Sequence, residues 1–150
     1  MPHLKYFSKP FIFLLSTLIA TPVLAHTVQM SGDVGATFHI EPNDNPQAGK
    51  PSLAWFALTH RSGRIIPLSQ CNCQLAVYAV PHDKNAPPLI SPILKPVNGD
   101  RYQGIPGAEI TFPTVGEYEL KLSGYPKKNT GYNGRFIPFT LTYKIIVAGG

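Results

Sequence analysis

The sequence predicts an all-β chain: a two-sheet antiparallel β-sandwich of about seven strands, carried behind a short export segment. Three observations predict it. The 150 residues suit one domain. Sixteen Pro and 13 Gly, spread along the whole chain, argue against long helices and for short strands joined by turns. After residue 25 the recurring pattern is period-two alternation bounded by turn residues, with no sustained helical periodicity. Without a crossover helix, parallel βαβ units are excluded. A hydrophobic fraction of 43% beside 14% charged residues excludes a disordered or collagen-like chain. Two cysteines are too few for a disulfide-built miniature scaffold.

Residues 1–25 have the three parts of an export signal. Lys5 and Lys9 make a basic start, Phe11 to Ala20 supplies a short apolar core, and Thr21-Pro22-Val23-Leu24-Ala25 ends it with modest residues at the cleavage positions. The apolar run is about ten residues, against roughly 20 needed to cross a bilayer as a helix. No Cys follows that run, which argues against a lipid anchor. The expected mature domain is therefore 26–150, beginning at His26, periplasmic or secreted, with no transmembrane segment after cleavage. Losing Lys5 and Lys9 leaves 11 basic and 8 acidic residues, a net charge of +3. The basic residues are scattered, so nucleic acid is not an expected partner. Lys127-Lys128 lies among Gly, Pro and Asn and reads as a solvated loop.

The strands follow in order. Ala36 to Ile40 alternates, with Phe38 and Ile40 on one face and Thr37 and His39 on the other. The prolines at 42, 46 and 51 make an extended loop. Leu53 to Thr59 is a run of apolar and small residues suited to a strand covered on both faces, and a further strand is expected over Ile65 to Leu68 after the Gly63 turn. Cys71 to Val80 alternates, with Cys73, Leu75, Val77 and Ala79 sharing a face. Pro81 to Pro96 contains five prolines and is expected to be irregular or an edge. Ala108 to Phe112 is a short strand. Gly116 to Leu122 is the cleanest, with Tyr118, Leu120 and Leu122 inward, and Phe136 to Val147 closes the domain. Trp55 is expected to pack between the sheets.

Two stretches carry a resemblance. The loop Pro42 to Pro51, with the strand to Leu58 and the Gly63 turn, resembles the opening of bacterial exported immunoglobulin-like domains of the YtkA-like kind. Phe112-Pro113-Thr114-Val115-Gly116-Glu117-Tyr118 resembles their late strand, where an aromatic, a Gly and a Tyr two residues later form a corner. The likeness spans most of residues 36–147 and implies an immunoglobulin-like sandwich. More loosely, the chain resembles CopC-like copper-binding sandwiches, some of which begin the mature chain with His, as His26 would. The late Asp-x-His motif of that family is missing, and His82-Asp83 has the reverse order.

Candidate chemistry rests on His, Met and Cys. The free amine and ring of His26 can chelate one metal together, and imidazole with thioether or thiolate donors suits copper. Met30 and His39 flank the Gly32-Asp33-Val34-Gly35 segment. If Gly32 pairs with Gly35, His39 faces Val28, His26 faces Glu41, and both histidines project from one face. Cys71-Asn72-Cys73 sets two sulfurs on one strand face, with three readings open: a disulfide with or without a redox role, a soft pair for Cu(I), or a structural staple. His60 and His82 sit beside turns and are expected to be solvated, and Asp33, Glu41 and Asp44 at this spacing match no calcium loop. Tyr125 and Tyr132 flank a Gly- and Asn-rich loop. No Gly-x-Ser-x-Gly elbow, His-Glu-x-x-His or phosphate loop is present, so no enzyme is expected. The expected function is an exported binding module for a transition metal, copper before zinc, at His26, Met30, His39, Cys71 and Cys73. The alternative is a module that holds another envelope or membrane protein.

Overall fold

The computed structural model describes residues 1–2, 27–128 and 135–150. Within them the strands are β1 (Thr27–Ser31), β2 (Val34–Ile40), β3 (Pro51–His60), β4 (Cys71–Ala79), β5 (Lys95–Gly99), β6 (Tyr102–Thr111), β7 (Gly116–Pro126) and β8 (Phe139–Val147). They form two antiparallel sheets, one ordered β1-β2-β3-β6-β5 and the other β4-β7-β8. The chain is an all-β sandwich, as the alternation predicts. The strand order is that of an immunoglobulin-like domain with one added edge strand, β1.

Period-two patterning sets the layers. From β2 and β3, Phe38, Ile40, Phe56 and Leu58 turn toward Leu120, Leu122, Leu141 and Tyr143 of the facing sheet, and all are buried in one cluster. Three rings meet at its centre. Phe38 lies 4.9 Å and Phe56 5.7 Å from the Tyr143 ring, centroid to centroid. The Tyr143 hydroxyl donates across the sandwich to the Ala36 carbonyl at 3.0 Å. Burial pushes the pKa of that hydroxyl well above the usual tyrosine value, so it remains a donor. At the start of β7 the Tyr118 hydroxyl donates to the Thr114 carbonyl at 2.8 Å. A tyrosine bonding backbone a few residues upstream at this corner is a hallmark of such sandwiches, and it is the corner expected from Phe112, Gly116 and Tyr118.

β3 is covered on both faces, as its composition predicts. Trp55 is buried, but on the outer face of the five-stranded sheet, in a small cluster with Ala57 and Ile105. The expectation that it packs between the sheets is thus corrected: Ala54, Phe56 and Leu58 take the inner positions, and alternation sends Trp55 outward. Three strand assignments also change. Ile65 to Leu68 gives one bridge, Thr59 to Ile65, before a short 3-10 turn at Leu68–Gln70, because Pro67 withholds a ladder donor. β6 begins six residues earlier than expected, and β8 begins at Phe139. The Pro-rich stretch ends in β5, an edge strand, where Pro96 faces Pro106.

The β1–β2 hairpin corrects the expected register. Ser31 pairs with Val34 and Thr27 with Phe38, so the loop is Gly32-Asp33 alone. Gly32 takes φ 60° at the first loop position, where two-residue hairpins favour Gly. The slip is two residues, so every side chain keeps its expected face, but His39 no longer faces Val28.

Two substitutions test this core. Tyr143→Phe keeps the ring and removes the cross-sheet donor, and it is expected to cost about 1 kcal/mol in urea unfolding. The Ser52 hydroxyl is buried with no hydrogen-bond partner among the described residues. Ser52→Ala is therefore expected to raise stability by roughly 1 kcal/mol, and a loss of stability would refute that reading.

Candidate functional site

The predicted ligands fall into separate places. His26 lies outside the described residues. Met30 is exposed on edge strand β1, its sulfur over Gly35, with which it pairs. His39 lies four residues further along β2 on the same outer face, about 13 Å away at ~3.3 Å per residue. Its ring stacks on its cross-strand neighbour Trp55, centroids 4.4 Å apart. Met30 and His39 are not brought together. Cys71 and Cys73 are joined in a disulfide on β4, in the other sheet. In that form neither sulfur is a thiolate, and a soft-metal role belongs to the reduced chain. Among the described residues no three His, Cys, Asp or Glu side chains cluster as a metal site.

His39 nonetheless has a built environment. Asn43 and Asp44 adopt the left-handed region, φ 52° and 55°, which Asn and Asp tolerate best after Gly. This turns the chain back so that Asp44 Oδ1 accepts from the Ile40 amide at 2.9 Å and lies 3.3 Å from His39 Nδ1. A carboxylate there favours the tautomer protonated at Nδ1 and makes Nε2 the basic nitrogen. A cavity of about 520 Å3 is lined by His39, Pro42, Asn43, Asp44 and Trp55.

His60 and His82 are not the solvated loop residues expected. His60 Nδ1 accepts the Ser62 amide at 3.2 Å, with Ser62 Oγ 2.8 Å away, so the proton sits on Nε2, 3.2 Å from Asp33 Oδ2. Asp33 Oδ1 in turn accepts the Ile137 amide at 2.8 Å. Asp33 is thus held at the β1–β2 turn between two distant segments. This row lines a cavity of about 540 Å3 together with Arg64 and Arg135. His82 stacks on Tyr78 at 4.5 Å, with Nε2 3.6 Å from Glu119 and Nδ1 donating to the Asp83 carbonyl at 3.0 Å. These partners are 27 and 37 positions away in the chain, so the turn-flanking position of each His carried no signal of them.

A further cavity, of about 770 Å3, lies along the outer edge of β4 and is lined by both cysteines, Tyr78, Ile93, Lys121 and Lys127. Of the aromatic loop, Tyr125 is exposed on β7, and Tyr132 lies outside the described residues.

Asp33→Ala strips His60 of its carboxylate and the Ile137 amide of its acceptor. It is expected to lower stability by roughly 2 kcal/mol, whereas Ser62→Ala stays within about 0.5 kcal/mol. Urea unfolding of the two variants checks the difference.

No protein-family model matches the chain, and no curated protein matches it. Among solved structures, a DUF4426 family protein from Pseudomonas aeruginosa PAO1 is similar in fold. The TM-score is 0.58 at 8% identity, over 83% of this chain and 96% of that one. At that identity the likeness shows the fold alone.

Proposed function

We propose that this chain is an exported, non-enzymatic binding module of the cell envelope, of the YtkA-like kind, whose ligand is a transition-metal ion, copper before zinc. The metal is held by His39 together with the amine and ring of His26 exposed by signal cleavage. The observation that carries this reading is the register of β1 on β2. Among the described residues the ladder runs to Thr27 opposite Phe38, and His39 is the next residue of β2. An amino-terminal residue that continued the ladder would meet it. Three nitrogens would then share one ion, with Asp44 orienting the His39 ring. Nitrogen donors of this kind suit copper and zinc, and carboxylate support of a ligating imidazole is the usual outer shell. The exposed Met30 sulfur stands further along the same face and serves as a second, softer donor only if the ion moves.

Copper titration of the protein cleaved at His26 tests this. Trp55 is the one tryptophan of the chain, and its ring is stacked on His39, so copper at His39 quenches its fluorescence. One extra residue before His26, or His39→Ala, is expected to weaken binding at least tenfold. Asp44→Asn is expected to weaken it by about tenfold. Equal affinity across all four proteins overturns the site. That outcome favours the interaction reading, for which the exposed Val28 and Met30 on edge strand β1 are the supporting observation.

A further inference from the structure

Most disulfides in exported sandwiches join segments far apart in the chain. The bond here joins residues two apart on a single strand. It crosses no sheet, fastens no loop and closes a ring of three residues. The stabilisation a cross-link gains by restricting the unfolded chain grows with the closed loop and is least here. A staple is therefore a poor account of it.

Its surroundings suit chemistry better. Cys71 is buried, 1% exposed, while Cys73 is only half-buried. The bond lines the 770 Å3 cavity along β4, whose rim carries Ile93, 81% exposed, and whose charged lining residues are Lys121 and Lys127, with no acid. β4 is also an open edge. It pairs with β7 on one side, and on the other the chain bridges only Val77 to Ile90, so among the described residues no strand covers Cys71 to Leu75. An extended polypeptide can add to such an edge through backbone hydrogen bonds, with its side chains in the cavity.

We propose that Cys71–Cys73 is a thiol–disulfide exchange site for an extended, cysteine-bearing segment of another envelope protein, docked as a strand along the Cys71–Leu75 edge. A partner thiolate attacks Cys73 Sγ. A bond forms between those sulfurs, the Cys71–Cys73 bond breaks, and the electron pair leaves on Cys71 Sγ, which takes a proton. A second partner thiolate then attacks the partner's own sulfur in the mixed disulfide and releases Cys73 as thiolate, which is protonated in turn. The partner dithiol leaves as a disulfide, and this chain keeps two electrons and two protons as its dithiol. The reverse sequence oxidises the dithiol. The site lies in the opposite sheet from His39 and stands or falls without it.

Native-state reduction tests the first half. In millimolar dithiothreitol without denaturant, followed by maleimide gel shift, the bond is expected to open within minutes. The melting temperature is expected to fall by less than about 3 °C. A bond that resists reductant until the protein unfolds, or a larger fall in melting temperature, makes it a staple and overturns the proposal. Single-cysteine variants test the direction of attack. With a cysteine peptide activated as its thionitrobenzoate disulfide, Cys71→Ser (leaving Cys73) is expected to form the mixed disulfide at least tenfold faster than Cys73→Ser. Equal or reversed rates overturn it.

Discussion

The contact of Phe38, Phe56 and Tyr143 is the constraint on which the rest depends. It is made by two strands of one sheet and the last strand of the other, and the Tyr143 hydroxyl closes it on the Ala36 carbonyl. Once Phe38 points inward, alternation forces His39 outward, and once Phe56 points inward, Trp55 must follow His39 onto the outer face. The stacked His39–Trp55 pair is thus a consequence of core packing rather than an independent choice. Burying rings of this size contributes several kcal/mol each, far more than the ion pair with Asp44 returns in partial solvent. The core therefore dictates the surface arrangement, and not the reverse.

The two sheets are held together without a disulfide between them. In many immunoglobulin-like domains a disulfide crosses between the sheets beside a buried tryptophan. Here that position carries no cysteine: the three-ring contact joins β2 and β3 to β8, and the tyrosine corner at Tyr118 and Thr114 fixes the end of the sandwich. With the sheets already fastened, both cysteines lie together on β4. Gly124 on the neighbouring strand makes the room: a Cβ there would stand 2.6 Å from the Cys71 sulfur and 2.8 Å from the Phe139 ring. Any side chain at 124 would push either the sulfur or the ring, so the inner half of the disulfide depends on that glycine.

How much of this the sequence carried depends on the range of the signal. Local alternation was enough for β7 and for the inward residues of β2 and β4, and the apolar run of Leu53 to Thr59 correctly read as covered on both faces. Pro81 to Pro96 read correctly as irregular until it reached an edge. Where the deciding contact was distant, the reading failed. Nothing near Trp55 says which of its two faces meets the other sheet, because β3 is apolar on both. Ile65 to Leu68 looks like a strand until Pro67 is weighed, and Gly104 and Pro106 hide the first half of β6. The hairpin register turned on whether Asp33-Val34 or Gly32-Asp33 made the two-residue loop, a change that moves the pairing by two residues and leaves the faces unchanged. His60 and His82 were missed as organised residues because Asp33 and Glu119 approach them only through the fold.

Three histidines in the described residues share a design: an imidazole with a carboxylate within 3.2 to 3.6 Å. Design alone does not select a ligand. His60 has one ring nitrogen on Asp33 and the other held by Ser62, and His82 has Glu119 on one and the Asp83 carbonyl on the other. Giving either nitrogen to a metal means breaking a contact that orders a turn. His39 differs in position, standing near the end of β2, one residue past the last hairpin pair among the described residues, over an indole on which its ring stacks. That position separates it from the other two, because under the proposed site it is where the amine and imidazole of His26 would arrive without disturbing the core. The physical basis for choosing His39 is therefore the register of one short ladder, which the Phe38 ring fixes from inside.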